Sequence, residues 1–345
     1  MKHLYKFIAL VFIFMIGIAF FSKSIPSISV STTTASSIQD STFPMVYLQV
    51  GESFINPLHG YSSELNSSTV RESITPLDTG KTFAVNIAEN DSKIKKLSYE
   101  LRDIANNKSI ETGDITAFDK NKKYKVATVH LKEAMDTSTE YGFCMTLITN
   151  YSKKIHFYTR IKYYDNDFFL SKKLDFVAKF HAATFDQGKS LDLSQYLESG
   201  TNDDSSYESV DIHSSRKLIT WAKLKPRKLK DVVPTVKELN IETAAISQTY
   251  FVSATTASGS ETYQVKEFYR VRYSGGRIYL LYFKRTMEAI FDPSLISINK
   301  SEVKIGISSA EDLDITSSDS NKKFAFVRNG SLWYYDLKKN ELNNV

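Results

Sequence analysis

Cysteine is nearly absent: Cys144 is the only one in 345 residues. One thiol closes no internal disulfide, so any core must hold without cross-links. It also leaves no cysteine behind the first apolar stretch for a lipid anchor. Cys144 lies in the apolar run Phe143-Cys144-Met145-Thr146-Leu147-Ile148, which reads as a buried strand and not as the setting of an activated thiol. Histidine is sparse too. His3, His59, His130, His156, His181 and His213 stand singly, with no i, i+4 pair and no compact metal-ligand spacing.

Other absences narrow the chemistry. There is no Gly-x-Ser-x-Gly elbow. Gly80-Lys81-Thr82 ends like a phosphate-binding loop, but Thr75 stands where its first glycine must be, so the stretch reads as a turn into a strand. Asp312, Asp314 and Asp319 lie close together without the glycine and terminal glutamate of a calcium loop. No long basic block exists. The nearest run is Lys223, Lys225, Arg227, Lys228 and Lys230, read as a solvated loop or as a contact to anionic lipid or wall polymer, and net charge is only +5. Nucleic acid is therefore not an expected partner. These motifs name no catalytic residue, cofactor or metal ligand. Paired carboxylates for glycoside hydrolysis meet in space and not in sequence. A hydrolase of cell-wall carbohydrate or peptide accordingly stands as the alternative to a non-catalytic binding or regulatory module.

What is present starts with an uninterrupted apolar run from Phe7 to Phe21 behind Lys2 and Lys6. With Leu4 and Tyr5 it reaches the lower limit of a membrane-spanning helix, about 17 residues. Its exit, Phe20-Phe21-Ser22-Lys23-Ser24, is a poor match to the small-x-small pattern of a signal peptidase site. Residues 1–21 are thus expected to be an uncleaved single-pass anchor with a cytoplasmic N-terminus and an extracytoplasmic body, secreted instead if the segment is cleaved. The Ser/Thr-rich stretch 22–41 is expected to be a linker.

Residues 42–165 alternate in short apolar runs, predicting strands at 45–50, 82–87, 96–102, 124–131, 141–149 and 154–164 with polar turns between them. That layout is an antiparallel β-sandwich. Residues 166–310 predict an α+β domain. Leu170, Leu174, Val177, His181 and Phe185 make a helical stripe flanked by Phe176 and Phe180, with Ser171 as N-cap and Gly188 as stop. His181 on that stripe is expected to be a buried, bonded residue. A short helix at 191–197 and loops at 199–206 and 225–234 precede long strands at 244–254, 261–273 and 277–291. Gly275-Gly276 supplies the positive φ of a two-residue hairpin turn. If those two form the loop, Tyr273 faces Ile278, Val271 faces Leu280, Tyr269 faces Tyr282 and Glu267 meets Lys284 on one side. Lys266, Arg270, Arg272 and Arg285 then share the other side, with Phe268 opposite Phe283. That second side is a candidate surface for an anion or a partner, protein or wall polymer, unless the helix packs on it.

Three resemblances follow from particular residues. Met-Asp-Thr-Ser-Thr-Glu-Tyr, residues 135–141, resembles the tyrosine corner of fibronectin type III and immunoglobulin-like domains, which implies a hydroxyl bonded back to upstream backbone. Residues 319–342 resemble one repeat of a TolB-type β-propeller: a polar turn, a strand at 324–328, the turn Asn329-Gly330, and a strand at 332–337 with Leu332-Trp333 and a late Asp336. Residues 311–345 are therefore expected to be a propeller-like repeat, either borrowed by another sheet or, as the favoured reading, cut off where a longer relative continues. The whole arrangement, with Thr75-Pro76, Tyr158-Thr159-Arg160-Ile161 and residues 267–273, resembles anchored extracytoplasmic proteins of uncharacterised function from Firmicutes-type bacteria. It implies location and domain order, and no catalytic residue.

Overall fold

The computed structural model describes residues 43–290, apart from 67–69, 122, 199, 201–205 and 257–258, and also 298–299, 302–303, 315–328, 331–339 and 341–344. The expected anchor, linker and 199–206 loop fall wholly or mostly outside the described residues, as do Asp312, Asp314 and the turn Asn329-Gly330. Among the described residues no helix is long and apolar enough to cross a membrane. The fold is mainly β: among the described residues strand accounts for 52% and helix for 9%, in several sheets of which none closes.

The first ten strands are β1 (Met45–Val50), β2 (Ser53–Leu58), β3 (Ile74–Leu77), β4 (Thr82–Ala88), β5 (Ile94–Asp103), β6 (Ser109–Ile115), β7 (Asp119–Lys120), β8 (Lys125–His130), β9 (Glu140–Thr149) and β10 (Lys154–Tyr163). They form two five-stranded sheets, in the orders β2-β1-β4-β8-β7 and β3-β10-β9-β5-β6. Alternation does the sorting. Val46, Leu48, Phe83, Val85 and Val129 are buried from one sheet, and Leu97, Leu101, Phe143, Met145 and Leu147 from the other. Phe83 meets Phe143 across the gap with ring centroids 5.3 Å apart. The six expected strands are present. The four not expected carry weak signals. Strand β3 contains Pro76, which suits an edge position, and β6 is polar and half-exposed at the other edge. Strand β2 holds Asn56 at φ 52° next to Pro57.

The chain then enters α1 (Leu170–Phe185). Ser171 is not its N-cap. That position belongs to Phe169, in a left-handed conformation with no side-chain cap. The amide of Phe169 instead donates to Asp167 Oδ1 at 2.7 Å. At the other end Gln187 is left-handed and the Gly188 amide donates to the Ala183 carbonyl at 2.7 Å, a Schellman closure. The buried stripe includes Lys173. Its ammonium donates to the carbonyls of Phe168, Asn240 and Ile241 at 2.7–2.9 Å, fastening α1 to the turn between two later strands.

Next come a 3-10 turn (Leu193–Gln195) where the short helix was expected, β11 (Ser209–Asp211), α2 (Arg216–Ile219), β12 (Arg227–Lys228), β13 (Thr235–Leu239), β14 (Thr243–Thr256), β15 (Gly259–Ser274) and β16 (Arg277–Ala289). These six strands form one antiparallel sheet in the order β11-β16-β15-β14-β12, with β13 also on β14, and β14, β15 and β16 are its long members. Helix α1 lies on one face: Phe180 contacts Tyr269 and Phe283 at 5.8 and 5.1 Å. One apolar cluster runs from Val46 to Phe283 without a break at 165/166. Strands β17 (Ile298–Asn299) and β18 (Glu302–Val303) pair alone. Strands β19 (Ile315–Ser317), β20 (Lys323–Arg328), β21 (Ser331–Asp336) and β22 (Glu341–Asn344) make a four-stranded meander in chain order.

Lys173 generates a testable expectation. Burial draws its ammonium down from 10.5 to about 8, against the opposing pull of Asp167 and Glu242. The folded chain then releases this proton before the unfolded chain does, so its contribution to stability rises with pH between about 8 and 10.5. Urea unfolding of the parent and Lys173→Met across that window should show the parent gaining on the variant. A difference that is flat or narrows refutes the assignment. At neutral pH the variant, with buried carbonyls left without a donor, should lose about 2–4 kcal/mol.

Candidate functional site: the two faces of the long sheet

The hairpin turn forms as its glycines dictate, with Gly275 at φ 58° and Gly276 at φ 78°. Tyr273 faces Ile278 and Val271 faces Leu280. The register then shifts by one residue, and Arg270 faces Tyr282, Tyr269 faces Phe283, Phe268 faces Lys284 and Glu267 faces Arg285. Because side chains alternate, a one-residue slip exchanges the faces of everything beyond it. Leu281 and Tyr282 are consecutive and both exposed, at 42% and 41%. This corrects the sequence reading at four positions: Phe283 and Arg285 are inside and buried, and Tyr282 and Lys284 are outside and exposed.

On the helix-facing side Glu267 sits at 1% exposure near the middle of the sheet. Its Oε2 accepts from His181 Nδ1 at 2.8 Å and from the Tyr269 hydroxyl at 2.7 Å, and its Oε1 accepts from the Tyr250 hydroxyl at 2.9 Å. His181 is thus the buried, bonded residue the helical stripe implied. Burial by itself pushes the Glu267 carboxyl up, but His181, Arg285 and Tyr269 outweigh it and hold the group below its ordinary value. The same burial, with Glu267 alongside, drives Tyr250 and Tyr269 well above theirs. Arg285 donates to the carbonyls of Leu218 and Ile219 at 2.9 Å, at the C-terminal end of α2, and its guanidinium lies 3.5 Å from the centre of the Trp221 ring.

The outer side is a different surface. Lys266, Arg270, Arg272 and Lys284 are exposed there, interleaved with Phe268, Tyr279 and Tyr282. Arg272 lies over the Tyr279 ring at 5.0 Å, and Phe268 meets Tyr282 at 6.0 Å. Arg270 also reaches Glu238 at 3.1 Å, an exposed pair of little net worth. Three of the four residues expected on this face are therefore brought together, Arg285 is not, and Lys284 takes its place. The legible signal was the break in apolar phase: Leu280 and Phe283 cannot share a face at period two.

A separate open cleft of about 350 Å³ lies at the end of α1, lined by Phe185, Asp186, Gln187, Lys189, Thr220, Trp221, Lys225 and Pro226. Asp186 is the one carboxylate of that lining, and its oxygens accept from the amides of Lys189 and Ser190. Cys144 faces Tyr158 on β10 and Glu100 on β5, while His156 bonds Thr146 at 3.1 Å. Among the described residues no group of three or more His, Cys, Asp or Glu side chains could hold a metal ion. Neither a scan of family models nor a search of curated proteins finds a match to this chain.

Glu267 makes the inner network testable. Its contribution to stability is present above the unfolded carboxyl value of 4.5 and is lost as pH falls through the lower folded value. Glu267→Gln should cost about 3–5 kcal/mol near neutral pH, because Arg285 is left buried without its countercharge. Unfolding titrations should show that cost shrinking in acid. A cost independent of pH rules the ionic role out.

Proposed function

We propose that this chain is a membrane-anchored, extracytoplasmic binding or regulatory module that works without catalysis, and that the outer face of β14–β16 holds an anionic polymer outside the membrane. The observation that carries the reading is that face itself: Lys266, Arg270, Arg272 and Lys284 stand exposed among Phe268, Tyr279 and Tyr282 on a long sheet, away from the helix. Cations at fixed strand spacing attract a chain of repeated negative charge, and aromatic rings between them give its apolar segments something to lie on. The charges come from β15 and β16, whose register is fixed by the core on the other side, so the array is organised before any ligand arrives.

The membrane contact is assigned to residues 1–21, with the body outside by the positive-inside rule. On this reading β1–β10 form an immunoglobulin-like sandwich. The Tyr141 hydroxyl supports it, accepting from the Asp136 amide at 2.9 Å as a tyrosine corner requires. Helix α1 with β11–β16 makes the α+β domain, and the meander β19–β22 has the strand order of a propeller blade. No nucleic-acid partner and no cofactor are proposed.

The test removes the charges without touching the core. The triple variant Lys266→Ser, Arg270→Ser, Arg272→Ser changes exposed positions and should fold normally. Co-sedimentation with insoluble cell-wall material carrying phosphate polymers should show the parent retained, less so at high salt. The variant should bind about tenfold more weakly. A control neutralising Lys95, Lys154 and Lys338, exposed elsewhere, should bind like the parent. Equal retention of both variants refutes the assignment.

A further inference from the structure

Helix α1 also touches strand β12, through the second nitrogen of His181. The side chain is buried and both ring nitrogens are engaged. Nδ1 lies 2.8 Å from Glu267 Oε2, and Nε2 lies 3.4 Å from the Lys228 ammonium. These two partners fix the proton. Glu267 is an ionised carboxylate and can only accept, so Nδ1 must donate to it. An ammonium can only donate, so Nε2 must offer its lone pair. In this arrangement His181 is neutral, with its hydrogen on Nδ1.

The surroundings leave no place for a second proton on that ring. Strand β15 presents Glu267, with the Tyr269 hydroxyl on the same oxygen. Strand β14 presents Tyr250, its ring edge-on to the imidazole at 4.9 Å, and β16 sets Arg285 opposite Glu267. Strand β12 presents Lys228, and α1 itself contributes the Phe185 ring at 5.1 Å. Glu267 is the one carboxylate of this set, and Arg285 already opposes it. A proton on Nε2 would aim an N–H at an ammonium, and two cations at that distance repel with no acceptor between them. His181 is tied to Glu267 in the interior, whereas Lys228 is exposed, so Lys228 is the partner that leaves.

Lys228 sits at the middle of a strap, residues 223–232, laid along the edge of β14. The strap is held by little. Strand β12 has two residues, Arg227 opposite Ser253 and Lys228 opposite Val252, and the Leu229 amide donates to the Phe251 carbonyl at 3.0 Å. On either side Leu224 and Val232 pack on the cluster of Trp221, Tyr250, Val252, Val265 and Met287. The Lys228 ammonium lies over the Phe185 ring at 5.0 Å as well as on His181. Lys223, Lys225, Arg227 and Lys230 add like charge along the same strap.

We propose that His181 is a proton-sensitive latch: neutral, it holds Lys228 and keeps the strap closed over the Trp221 cluster, and protonated at Nε2 it releases Lys228 and the strap opens. The sign follows from the ring. Closure is complete where His181 is neutral and is lost as pH falls through its titration.

The experiment is amide hydrogen exchange of the full chain, read by mass spectrometry on peptides covering 223–232, at about pH 8 and about pH 5. After correction for the intrinsic exchange rate, the parent strap should lose protection at least about tenfold in acid, while α1 and β15 keep theirs. Lys228→Gln, at an exposed position, should fold normally and remove the acid dependence. Its amide can donate to a bare Nε2 and accept from a protonated one. Lys228→Met, with no donor, should lower strap protection already at the higher pH and show no further loss in acid. Strap protection unchanged by pH in the parent, an equal acid loss in Lys228→Gln, or a loss shared equally by α1 and β15 overturns the proposal. Both variants leave Lys266, Arg270, Arg272 and Lys284 in place, so this reading and that of the outer face fail separately.

Discussion

A carboxylate buried away from the surface organises the second half of this molecule. Glu267 lies inside a sheet whose neighbouring positions on the same face are Val265, Tyr269 and Val271. An ionised group there is costly unless it is hydrogen-bonded and opposed by a charge. Each requirement is met by a different element. Tyr250 comes from β14, Tyr269 from β15 itself and His181 from α1, while Arg285 comes from β16. The helix is therefore docked by a directional contact as well as by Phe176, Val177 and Phe180. Arg285, once inside, must place its own donors, and it does so on the open carbonyls of α2 and beneath Trp221. The turn carrying Trp221, and with it one wall of the cleft, is thus tied to Glu267 through a single side chain.

The bulge in β16 is the price of that arrangement, and it acts on both faces at once. Without it Lys284 would face Glu267 and Arg285 would be in solvent. A lysine could oppose the charge, but it could not also bridge two carbonyls while lying flat on an indole, which a planar guanidinium does. The same shift turns Lys284 outward beside Phe268 and exposes Leu281 and Tyr282 together. The composition of the outer face is a consequence of what the inner face needs.

Periodic features were readable from the sequence because their cause is local. The span of α1 follows from an apolar stripe, β1 from strict alternation, and the Gly275-Gly276 turn from the φ angles only glycine adopts freely. What escaped depends on partners distant in the chain. Nothing near Lys173 marks it as buried, because its acceptors are carbonyls of Phe168, Asn240 and Ile241, and backbone oxygens leave no trace in sequence. Ser171 looked like a cap, yet the cap lies two residues earlier at Phe169, anchored by Asp167. Strands β3 and β6 are edges, where proline and polar residues are tolerated. The outer-face site was therefore three-quarters legible, and the missing quarter was the bulge.

The seam between β1–β10 and the helix-bearing half bears on how the outer face is presented. Strand β13 sits in it. Asn56 exchanges hydrogen bonds with Pro234 and Val236, Arg160 donates to the Lys237 carbonyl, Lys237 donates to the Glu72 carbonyl, and the Tyr164 hydroxyl donates to the Leu239 carbonyl. Asn56, Thr75, Ser73 and Thr159 form a buried polar chain directly beneath. At about 0.5–1.5 kcal/mol net for each bond, and more for any left unmade in the interior, a hinge at this seam is strongly disfavoured. Strand β13 is also hydrogen-bonded to β14, the neighbour of the strand carrying Lys266, Arg270 and Arg272. The outer face is then held in a fixed relation to the first two sheets through backbone hydrogen bonds instead of a flexible connection.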